Sequence, residues 1–542
     1  MWALKLETFR RFAIKTERGE PGWSLGEHFV RVARKNRPRR CISDSTGRSL
    51  NYGQTLVKSI ALSAGIEKLA GEQERVGIML PPSVGAALAN IAVTLAGKVS
   101  VNLNYVVSED FVKSAIQQCG ISCIISSRGF VEKVKSLGSL RGLAFLEDIS
   151  GKITVASKLK AYLKARFAPA EILAKKSGEL ATIIFSSGSS GEPKGVMLSH
   201  RNIISNIEAV RTAFRLESSD NLCGVLPFFH SFGFTCCLWL AVISGVSASY
   251  VASPLDGKLV GDTARRNKST ILFAAPTFLL NYVRRVPADD FASLRTVVAG
   301  AEKLKRQIAD SFEGKFGIRP LEGYGTTELS PVVSLNLPEE LSCGICEVGY
   351  REGTVGRPLP GVEVKVICPE SGRELPAGQA GLLMVKGPNV MLGYLNREKE
   401  TAEVLKDGWY NTGDIASIDD EGFVRITDRL SRFSKIAGEM VPHLGVEEAY
   451  LQGLDTVEQV VAVTSVPEPK KGEELVVLYM DKAGNADKLH EIISRSNLPN
   501  MWKPRRDNYI RIESIPVLGS GKLDVRRLKK LALAAHGNSA TR

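Results

Sequence analysis

A loop of small residues with one lysine, SSGSSGEPKG, spans residues 186–195 and directly follows the apolar run ATIIF. Its glycines let backbone N–H groups close around an anion, and Lys194 adds a positive charge. We therefore predict a phosphate-binding loop; a flexible Ser/Gly turn is the alternative for such a segment taken alone. No Gly-Lys-Ser/Thr follows at the required spacing, which argues against a P-loop kinase or ATPase. The candidate anion-binding residues are Ser186, Ser187, Gly188, Ser189, Ser190, Gly191 and Lys194.

Five further motifs follow along the chain. They are PFFHSFG, which carries His230 among aromatic residues, GYGTTE at residues 323–328, WYNTGD ending at Asp414, DRLSRFSKIAGEMVP at residues 428–442, and GSGK ending at Lys522. Histidine, hydroxyl, carboxylate and lysine groups can move protons and stabilise developing charge. Each motif alone is weak, because a single His or Asp is more often structural. Six motifs in this order, the first loop included, are a strong indication of one functional site.

The intervening sequence has the pattern of an α/β protein. Short apolar runs bounded by Gly, Asp or Pro predict buried strands, and the alanine-rich run SVGAALANIAVTLAG between them predicts a helix. The predicted strands are RVGIML, SCIISS, LATIIFSS and TVVAGA. After the phosphate-type loop, VMLSHRNIISNI is expected to be helical. From about Gly353, strands alternating with turn residues predict a small antiparallel β unit, and a mixed α+β segment follows Arg429.

Length and composition bound the class of protein. The 542 residues predict two to four domains, and 44% hydrophobic with 24% charged residues is an ordinary globular composition. The formal net charge of +13 suits an acidic partner such as a nucleotide, an anionic membrane or an acidic protein. A well-solvated basic surface explains the charge equally well. We expect no nucleic-acid partner.

Cysteine usage and hydropathy indicate the compartment. The nine cysteines are odd in number and scattered, and the lone CxxC of Cys343 and Cys346 lacks a second pair for a zinc site. The apolar stretch 236–252 is shorter than the ~20 residues of a spanning helix, so we predict a buried helix running into a strand. We expect a cytoplasmic protein without a signal peptide, either soluble or peripheral on the inner membrane.

A basic segment at residues 151–176 stands apart from its surroundings. Leu159, Tyr162, Leu163 and Phe167 fall at helical spacing with lysines and Arg166 around them. A basic amphipathic helix can lie on an anionic bilayer. A solvated linker or a helix packed on the domain is the alternative.

The six motifs resemble those of the adenylate-forming (AMP-binding) superfamily of acyl-CoA synthetases, luciferases and peptide-synthetase adenylation domains, over nearly the whole chain. The stretch RLSRFSK-GEMVP is more particularly similar to the acyl-acyl-carrier-protein synthetase half of bifunctional 2-acylglycerophosphoethanolamine acyltransferases. The resemblance implies a large N-terminal domain, residues 1–427, of two α/β lobes plus a β-barrel-like unit. A small mobile α+β domain, residues 428–542, would follow.

The resemblance also implies an activity with ATP and Mg²⁺ as cofactors. A fatty acid would be activated as an acyl-adenylate and then transferred to the thiol of acyl carrier protein, or alternatively of coenzyme A. The excess of basic residues favours the acidic carrier protein. A luciferase-like oxidase is not excluded by the motifs, although nothing favours it. A non-catalytic homologue is disfavoured because Lys522 and Glu328 are both present.

Roles for individual residues follow from the same resemblance. The catalytic residues would be Lys522 on the acyl carboxylate, His230 at the junction of acyl channel and adenylate, Thr327 on phosphate oxygens, and Glu328 on magnesium. A packed core histidine is the alternative for His230. Ser187 and Ser190 would also bind phosphate oxygens. The remaining nucleotide-binding residues would be Gly300, Gly323, Tyr324 on adenine, Gly325, Thr326, Asp414 and Arg429 on ribose, and Lys435.

Overall fold

The computed structural model describes residues 24–134, 139–175, 178–186, 192–338, 349–437, 439–468, 471–517 and 523–539. The chain divides into two compact units. The first comprises Met1–Val364 and Val385–Tyr410, and the second comprises Lys365–Met384 and Asn411–Arg542. The domain boundary expected after Thr427 stays a prediction.

Strands and helices alternate through most of the described chain. The strands are β1 (Arg40–Asp44), β2 (Ser49–Asn51), β3 (Arg75–Ile78), β4 (Val99–Asn102), β5 (Ile124–Ser126), β6 (Leu143–Phe145), β7 (Leu180–Ser186), β8 (Lys194–Ser199), β9 (Asn221–Gly224), β10 (Ser247–Tyr250), β11 (Ile271–Ala274), β12 (Thr296–Ala299), β13 (Leu321–Gly325), β14 (Val332–Leu335), β15 (Arg357–Pro358), β16 (Glu363–Ile367), β17 (Gly381–Lys386), β18 (Gly393–Tyr394), β19 (Leu405–Lys406), β20 (Trp409–Ile418), β21 (Val424–Arg429), β22 (Phe433–Ile436), β23 (Glu439–Pro442), β24 (Val461–Glu468), β25 (Gly472–Tyr479) and β26 (Tyr509–Arg511). The α-helices are α1 (Leu25–Lys35), α2 (Tyr52–Ala70), α3 (Val84–Leu95), α4 (Glu109–Cys119), α5 (Arg128–Lys133), α6 (Leu146–Gly151), α7 (Val155–Phe167), α8 (Ala170–Leu173), α9 (His200–Phe214), α10 (Leu240–Ser244), α11 (Gly257–Asn267), α12 (Pro276–Arg285), α13 (Arg306–Phe316), α14 (Glu398–Val404), α15 (His443–Gly453), α16 (Ala486–Arg495) and α17 (Val525–Ser539).

Two mainly parallel sheets form the body of the first unit. One has the strand order β15-β14-β13-β12-β11-β9-β10-β1-β2, and the other β18-β8-β7-β4-β3-β5-β6. Their central strands are continuous apolar runs because helices cover both faces; β12, for example, is buried at every position. The predicted strands within 75–80, 122–127, 180–187 and 296–301 are confirmed, as are the α/β fold class and its two lobes.

The apolar stretch 236–252 is a buried helix that runs into a strand, as predicted. A π-helix spans Phe232–Trp239, α10 continues it, and β10 follows after the left-handed Gly245. No helix in the part of the chain that the structure describes combines the length and apolar character of a bilayer-spanning segment. The cysteines that it describes are all free, and Cys343 and Cys346 lie outside the described residues.

The prediction that 196–207 is entirely helical was wrong. Residues Lys194–Ser199 form β8, which pairs antiparallel with β7 in a register that sets Lys194 opposite Ser186. Helix α9 begins only at His200, because Ser199 and Asn202 form a capping box: the Ser199 hydroxyl accepts from Asn202 N at 3.0 Å, and Asn202 Oδ1 accepts from Ser199 N at 2.8 Å. The phosphate-type loop therefore follows β7 and leads into a strand rather than a helix N-terminus.

The second unit is an α+β assembly, which confirms that part of the predicted fold class. Strands β20 and β21 pair antiparallel beside β17 and β16, which is the predicted β unit. Farther along, β23-β22-β25-β24, with β26 beside β25, form a sheet covered by helices. Val446 and Tyr450 of α15 are buried in one apolar cluster on this sheet, and Leu528 and Ala532 of α17 in another.

Candidate active site

His230 lies two residues before the π-helix, at the end of the segment that follows β9. Its ring contacts the Phe229 ring with centroids 4.6 Å apart, and its carbonyl accepts the Phe234 N–H at 2.8 Å. Phe229 in turn packs edge-on against Tyr105, with centroids 4.9 Å apart. The His230 side chain is half-buried rather than enclosed in the core. The histidine thus stands at the edge of an aromatic cluster.

Gly300 is the residue directly after β12, and it lies against Phe232 in the aromatic segment that contains His230. A Cβ atom at this position would stand 2.9 Å from Cε1 of Phe232. The Gly300 N–H donates to the Ala274 carbonyl at 3.1 Å, which continues the β11–β12 pairing. A side chain at residue 300 would displace the Phe232 ring, so glycine keeps the strand end and the aromatic segment close together.

The GYGTTE motif occupies the end of β13 and the turn after it. A Cβ on Gly325 would collide with the Pro331 carbonyl oxygen at 2.0 Å, and one on Gly323 would lie 2.9 Å from Cδ1 of Leu335. These glycines allow β14 to return directly alongside β13, and the Thr326 N–H donates to the Pro331 carbonyl at 3.1 Å. Tyr324 is half-buried between the two glycines.

A hydrogen bond joins the GYGTTE turn to the histidine segment. Ser231 Oγ donates to Thr327 Oγ1 at 3.3 Å, across 96 residues of sequence. Sequence reasoning missed Ser231, although its position next to His230 was a signal. The structure therefore brings His230, Gly300 and Thr327 to one place in the first unit.

Thr326 carries an unsatisfied polar atom. Its Oγ1 is buried and has no hydrogen-bond partner among the described residues. A buried hydroxyl without a partner is costly, so it needs an explanation, and a bound group that it contacts is one such explanation. Thr326 is one of the predicted nucleotide-binding residues, and its orphaned hydroxyl fits that role.

Glu328 is held by a tyrosine from a distant strand. The Tyr394 hydroxyl donates to Glu328 Oε1 at 3.0 Å, and the other carboxylate oxygen has no partner among the residues described. Burial, and then the negative charge of Glu328, raise the pKa of the Tyr394 hydroxyl, so it remains a donor. Strand β18 delivers Tyr394 by pairing antiparallel with β8, where Tyr394 stands opposite Val196.

Lys194 is paired with an acid that sequence reasoning did not single out. Its Nζ lies 2.6 Å from Glu400 Oε2 and 5.3 Å from the centroid of the Tyr394 ring. The hydrogen bond from Lys194 holds the pKa of the Glu400 carboxyl below its usual value. Arg397 contacts both Glu400, at 2.6 Å, and Glu192, at 2.9 Å. The predicted point charge at residue 194 is therefore part of an ion-pair network.

The structure describes only some of the remaining predicted residues in the phosphate-type loop and in the GSGK motif. Ser186 ends β7 and is half-buried. Ser187, Gly188, Ser189, Ser190, Gly191 and Lys522 lie outside the described residues. On either side of the segment that contains Lys522, Val517 and Leu523 form an antiparallel bridge.

Asp414 and Arg429 are neighbours in the second unit. They are opposite residues of the β20–β21 pair, and Arg429 Nε lies 3.1 Å from Asp414 Oδ1. The Asp414 carboxylate is buried, whereas the arginine side chain is 60% exposed. The structure thus brings together the two residues predicted to bind ribose. Lys435 makes a different contact, an exposed ion pair of 3.7 Å with Glu370.

A buried charged cluster lies next to this pair in the second unit. Arg432 Nη2 contacts Glu447 Oε1 at 2.6 Å, and Asp428 accepts from the backbone N–H groups of Leu444 and Arg429, both at 2.8 Å. Burial raises the pKa of the Asp428 carboxyl to about 6, against the opposing charge of Arg432. Asp428 therefore ties β21 to the start of α15.

Comparisons with known proteins agree on one family. Residues 29–395 match the family described as AMP-binding enzyme. The 4-coumarate–CoA ligase-like 1 of Arabidopsis thaliana is 29% identical over 502 residues, which is 90% of either chain. The long-chain-fatty-acid–CoA ligase of Salmonella typhimurium is 28% identical over 534 residues, covering 91% of this chain and 92% of the relative.

Solved structures share the fold. ATP-bound MatB from Rhodopseudomonas palustris superposes with a TM-score of 0.76 at 24% identity, covering 94% of this chain and 99% of that one. The o-succinylbenzoate CoA synthetase of Bacillus subtilis, in complex with its acyl-adenylate, has a TM-score of 0.78 at 22% identity and covers 93% and 98%.

Proposed function

Because the chain belongs to the AMP-binding enzyme family, we propose that it is an acid–thiol ligase that activates a carboxylic acid with ATP. A carboxylate is a poor electrophile, since its leaving group would be an oxide. One carboxylate oxygen would attack the α-phosphorus of ATP and expel pyrophosphate, giving an acyl-adenylate. A thiolate would then attack the acyl carbon and release AMP, giving a thioester. The two half-reactions balance without any other reactant.

The hydrogen bond between Ser231 and Thr327 is the observation that carries this proposal. It joins the aromatic His230 segment, suited to an apolar acyl group, to the hydroxyl-rich GYGTTE turn, suited to a nucleotide. Acyl and phosphoryl groups bound on either side of that bond would be neighbours, as the first half-reaction requires. His230 would stand at their junction, and Gly300 would let the aromatic segment lie close to the end of β12.

Two negatively charged reactants must meet in the first half-reaction, so donors and cations must face the developing charge. The orphaned hydroxyl of Thr326 and the Thr327 hydroxyl would bind phosphate oxygens. We assign Lys522 to the acyl carboxylate, with the serines of the loop after β7 on the phosphates. Asp414 and Arg429 would bind ribose, and Lys435 remains a proposed nucleotide contact.

Glu328 is suited to hold the Mg²⁺ that accompanies ATP. A single carboxylate with one oxygen fixed by Tyr394 fits an ion that binds one or two carboxylates and otherwise keeps water and phosphate oxygens. When bound, the ion would neutralise phosphate charge. Tyr394 would keep the carboxylate oriented toward it.

The acid is proposed to be a fatty acid. Phe229 packs against both His230 and Tyr105, so aromatic rings lie beside the histidine, and the relative from Salmonella typhimurium is a long-chain-fatty-acid–CoA ligase. The relative from Arabidopsis thaliana is 4-coumarate–CoA ligase-like, so an aryl acid is the alternative. Pyrophosphate release measured across saturated fatty acids of increasing length and across cinnamic acids separates the two. Activity with cinnamic acids alone would contradict the fatty-acid proposal.

Acyl carrier protein is the proposed thiol acceptor, and coenzyme A is the alternative that the relatives' names support at least as well. Helix α17 presents Arg526, Arg527, Lys529 and Lys530 to solvent, while Leu528 anchors it. A basic face of this kind would speed the encounter with a small acidic protein. Turnover with each acceptor, at saturating ATP and acid, decides between them.

A further inference from the structure

Helix α7 (Val155–Phe167) is firmly docked on the first unit. Its 13 residues make it about 20 Å long. Thr154 caps its start by accepting from Ser157 N at 3.2 Å. Ala161 and Ala165, one helical turn apart, are buried where α7 packs on α2 and α1. One face of α7 thus packs on the domain, which was one of the alternatives to a bilayer-bound helix.

Two arginines of the α1 region hold the C-terminal end of α7. Arg34 Nε donates to the Ala165 carbonyl at 3.0 Å, and Arg37 Nη2 donates to the same oxygen at 3.2 Å. Arg34 also donates to the Ala168 carbonyl. Positive charge at a helix C-terminus satisfies orphan carbonyls and favours the helix dipole. Helix α7 thus needs no detachment or refolding to act as a surface.

The opposite face of α7 is an apolar stripe left in solvent. The exposed side chains are Val155 (81%), Leu159 (58%), Tyr162 (54%), Leu163 (47%) and Phe167 (74%). At 100° per residue they fall within an arc of about 140°, turned away from Ala161 and Ala165. Neither a solvated linker nor a fully packed helix explains five large apolar side chains on one exposed face.

Positive charges border this stripe on both sides. Lys158 lies at one edge, and Lys160 and Lys164 lie at the other, all three exposed. Arg166 falls within the arc, and its guanidinium stands over the Phe167 ring at 5.9 Å from the centroid. No acidic residue occurs between residues 152 and 167. Long basic side chains beside an apolar stripe can reach phosphate groups while the stripe is buried.

We propose that α7 is a lipid-docking surface that lies flat on an anionic bilayer, with the apolar stripe in the headgroup–acyl boundary and the flanking lysines on lipid phosphates. A second copy of the chain is a poorer occupant, because the same lysines would meet across a two-fold axis. The stripe of one short helix is also small beside the ~1,600 Å² of a stable protein interface. The inference does not depend on the acid or the thiol acceptor of the enzyme.

Sedimentation of the full chain with phosphatidylcholine vesicles, with and without 30% phosphatidylglycerol, tests the charge requirement. We expect binding only to the anionic vesicles. The triple variant Lys158→Gln, Lys160→Gln, Lys164→Gln should lose about 10²-fold in partition at low salt, at about fivefold per charge. The matched triple variant Lys258→Gln, Arg284→Gln, Arg285→Gln removes equal charge elsewhere and should bind like the wild type. Equal losses in both triple variants would overturn a role for α7.

Single leucine variants test the apolar stripe separately. Leu159→Ser should lower the partition about tenfold. Leu255→Ser, at a side chain that is 61% exposed on a loop away from α7, should not change it. Pyrophosphate release without vesicles should stay at the wild-type level in both, which shows that the fold is intact. Unchanged vesicle binding by Leu159→Ser would contradict the proposal. So would a loss of self-association caused by that variant without lipid, which would assign the stripe to a second copy.

Discussion

Tyr394 donates its hydroxyl proton to Glu328 Oε1 over 3.0 Å, although 66 residues separate them in sequence. The same tyrosine ring lies under Nζ of Lys194, which is paired with Glu400. One side chain on a two-residue strand therefore contacts both the carboxylate proposed to hold Mg²⁺ and the lysine of the phosphate-type loop. Under the proposed function, Tyr394 would be a positioning residue, because it would act through these two groups.

Tyr394→Phe should weaken the use of Mg²⁺ while leaving the fold intact. Loss of a hydrogen bond to a charged group is worth about 1.5–3 kcal/mol, so the Mg²⁺ concentration for half-maximal pyrophosphate release should rise roughly tenfold or more. Tyr250→Phe is the matched control, since the buried Tyr250 hydroxyl has no partner among the described residues. Unchanged Mg²⁺ dependence in Tyr394→Phe would remove Tyr394 from the site.

Thr326→Val should weaken the binding of ATP without lowering the stability of the fold. The Thr326 hydroxyl is buried without a partner in the described structure, so the variant should unfold at the same temperature or slightly higher. If that hydroxyl binds a phosphate oxygen, the KM for ATP should rise about tenfold. Thr263→Val, which removes another orphaned buried hydroxyl, should leave the KM unchanged. Thermal unfolding and steady-state kinetics measure the two effects, and an unchanged KM in Thr326→Val would contradict the assignment.

The pH dependence of stability should report on His200. Burial lowers the pKa of its imidazole from 6.5 to about 4, and Nδ1 accepts from Leu25 N at 3.3 Å. The unfolded chain binds this proton below pH 6.5 and the folded chain only near pH 4. The contribution of His200 to the free energy of unfolding is therefore fully present above pH 6.5. It is lost as the pH falls from 6.5 toward 4, by about 2 kcal/mol between pH 7 and 5.

His200→Asn retains an acceptor for Leu25 N but cannot titrate. Urea unfolding of the wild type and the variant at pH 7 and 5 measures the difference in slope. We expect the variant to be less sensitive to acid by about 2 kcal/mol. Parallel losses in the two proteins would show that His200 does not carry the effect.

Reversal of charge on α17 tests the proposal that this helix binds acyl carrier protein as the thiol acceptor. Arg526→Glu with Arg527→Glu should raise the KM for acyl carrier protein severalfold, more so at low ionic strength, and should leave pyrophosphate release without thiol unchanged. Lys488→Glu with Arg495→Glu, on α16, gives the same change in net charge at another surface of the second unit. If both pairs act alike, or if coenzyme A is clearly the preferred acceptor, α17 is not a docking face for carrier protein.

The predicted strands could be read from the sequence because each is a short apolar run bounded by turn residues. The run VML, residues 196–198, shows the limit of that reasoning. Three apolar residues before a helix are compatible with either a helix or a strand, and their pairing with β7 makes them a strand. The hydroxyl, carboxylate and histidine groups of the proposed site could be singled out because they stand in short motifs.

The residues that contact these hydroxyl, carboxylate and lysine groups could not be predicted from short motifs. Tyr394, Arg397 and Glu400 reach the site only because β18 pairs with β8, about two hundred residues away in the chain. No local pattern encodes that pairing. The exposed stripe of α7 was likewise ambiguous, since the periodicity of a helix does not show which face the domain covers; Ala161 and Ala165 decide it.

Exchange of labelled pyrophosphate into ATP, without any thiol, tests the central claim most directly, because it requires a reversible acyl-adenylate. The wild type should show exchange only when a fatty acid is present, and thiol added afterwards should release AMP, with no ADP formed at either stage. Lys522→Ala should lower the exchange roughly 10²–10³-fold, the scale of one lost charge stabiliser, while thioester formation from supplied acyl-adenylate is nearly spared. Exchange that is independent of acid, or ADP formation in its place, would contradict the account.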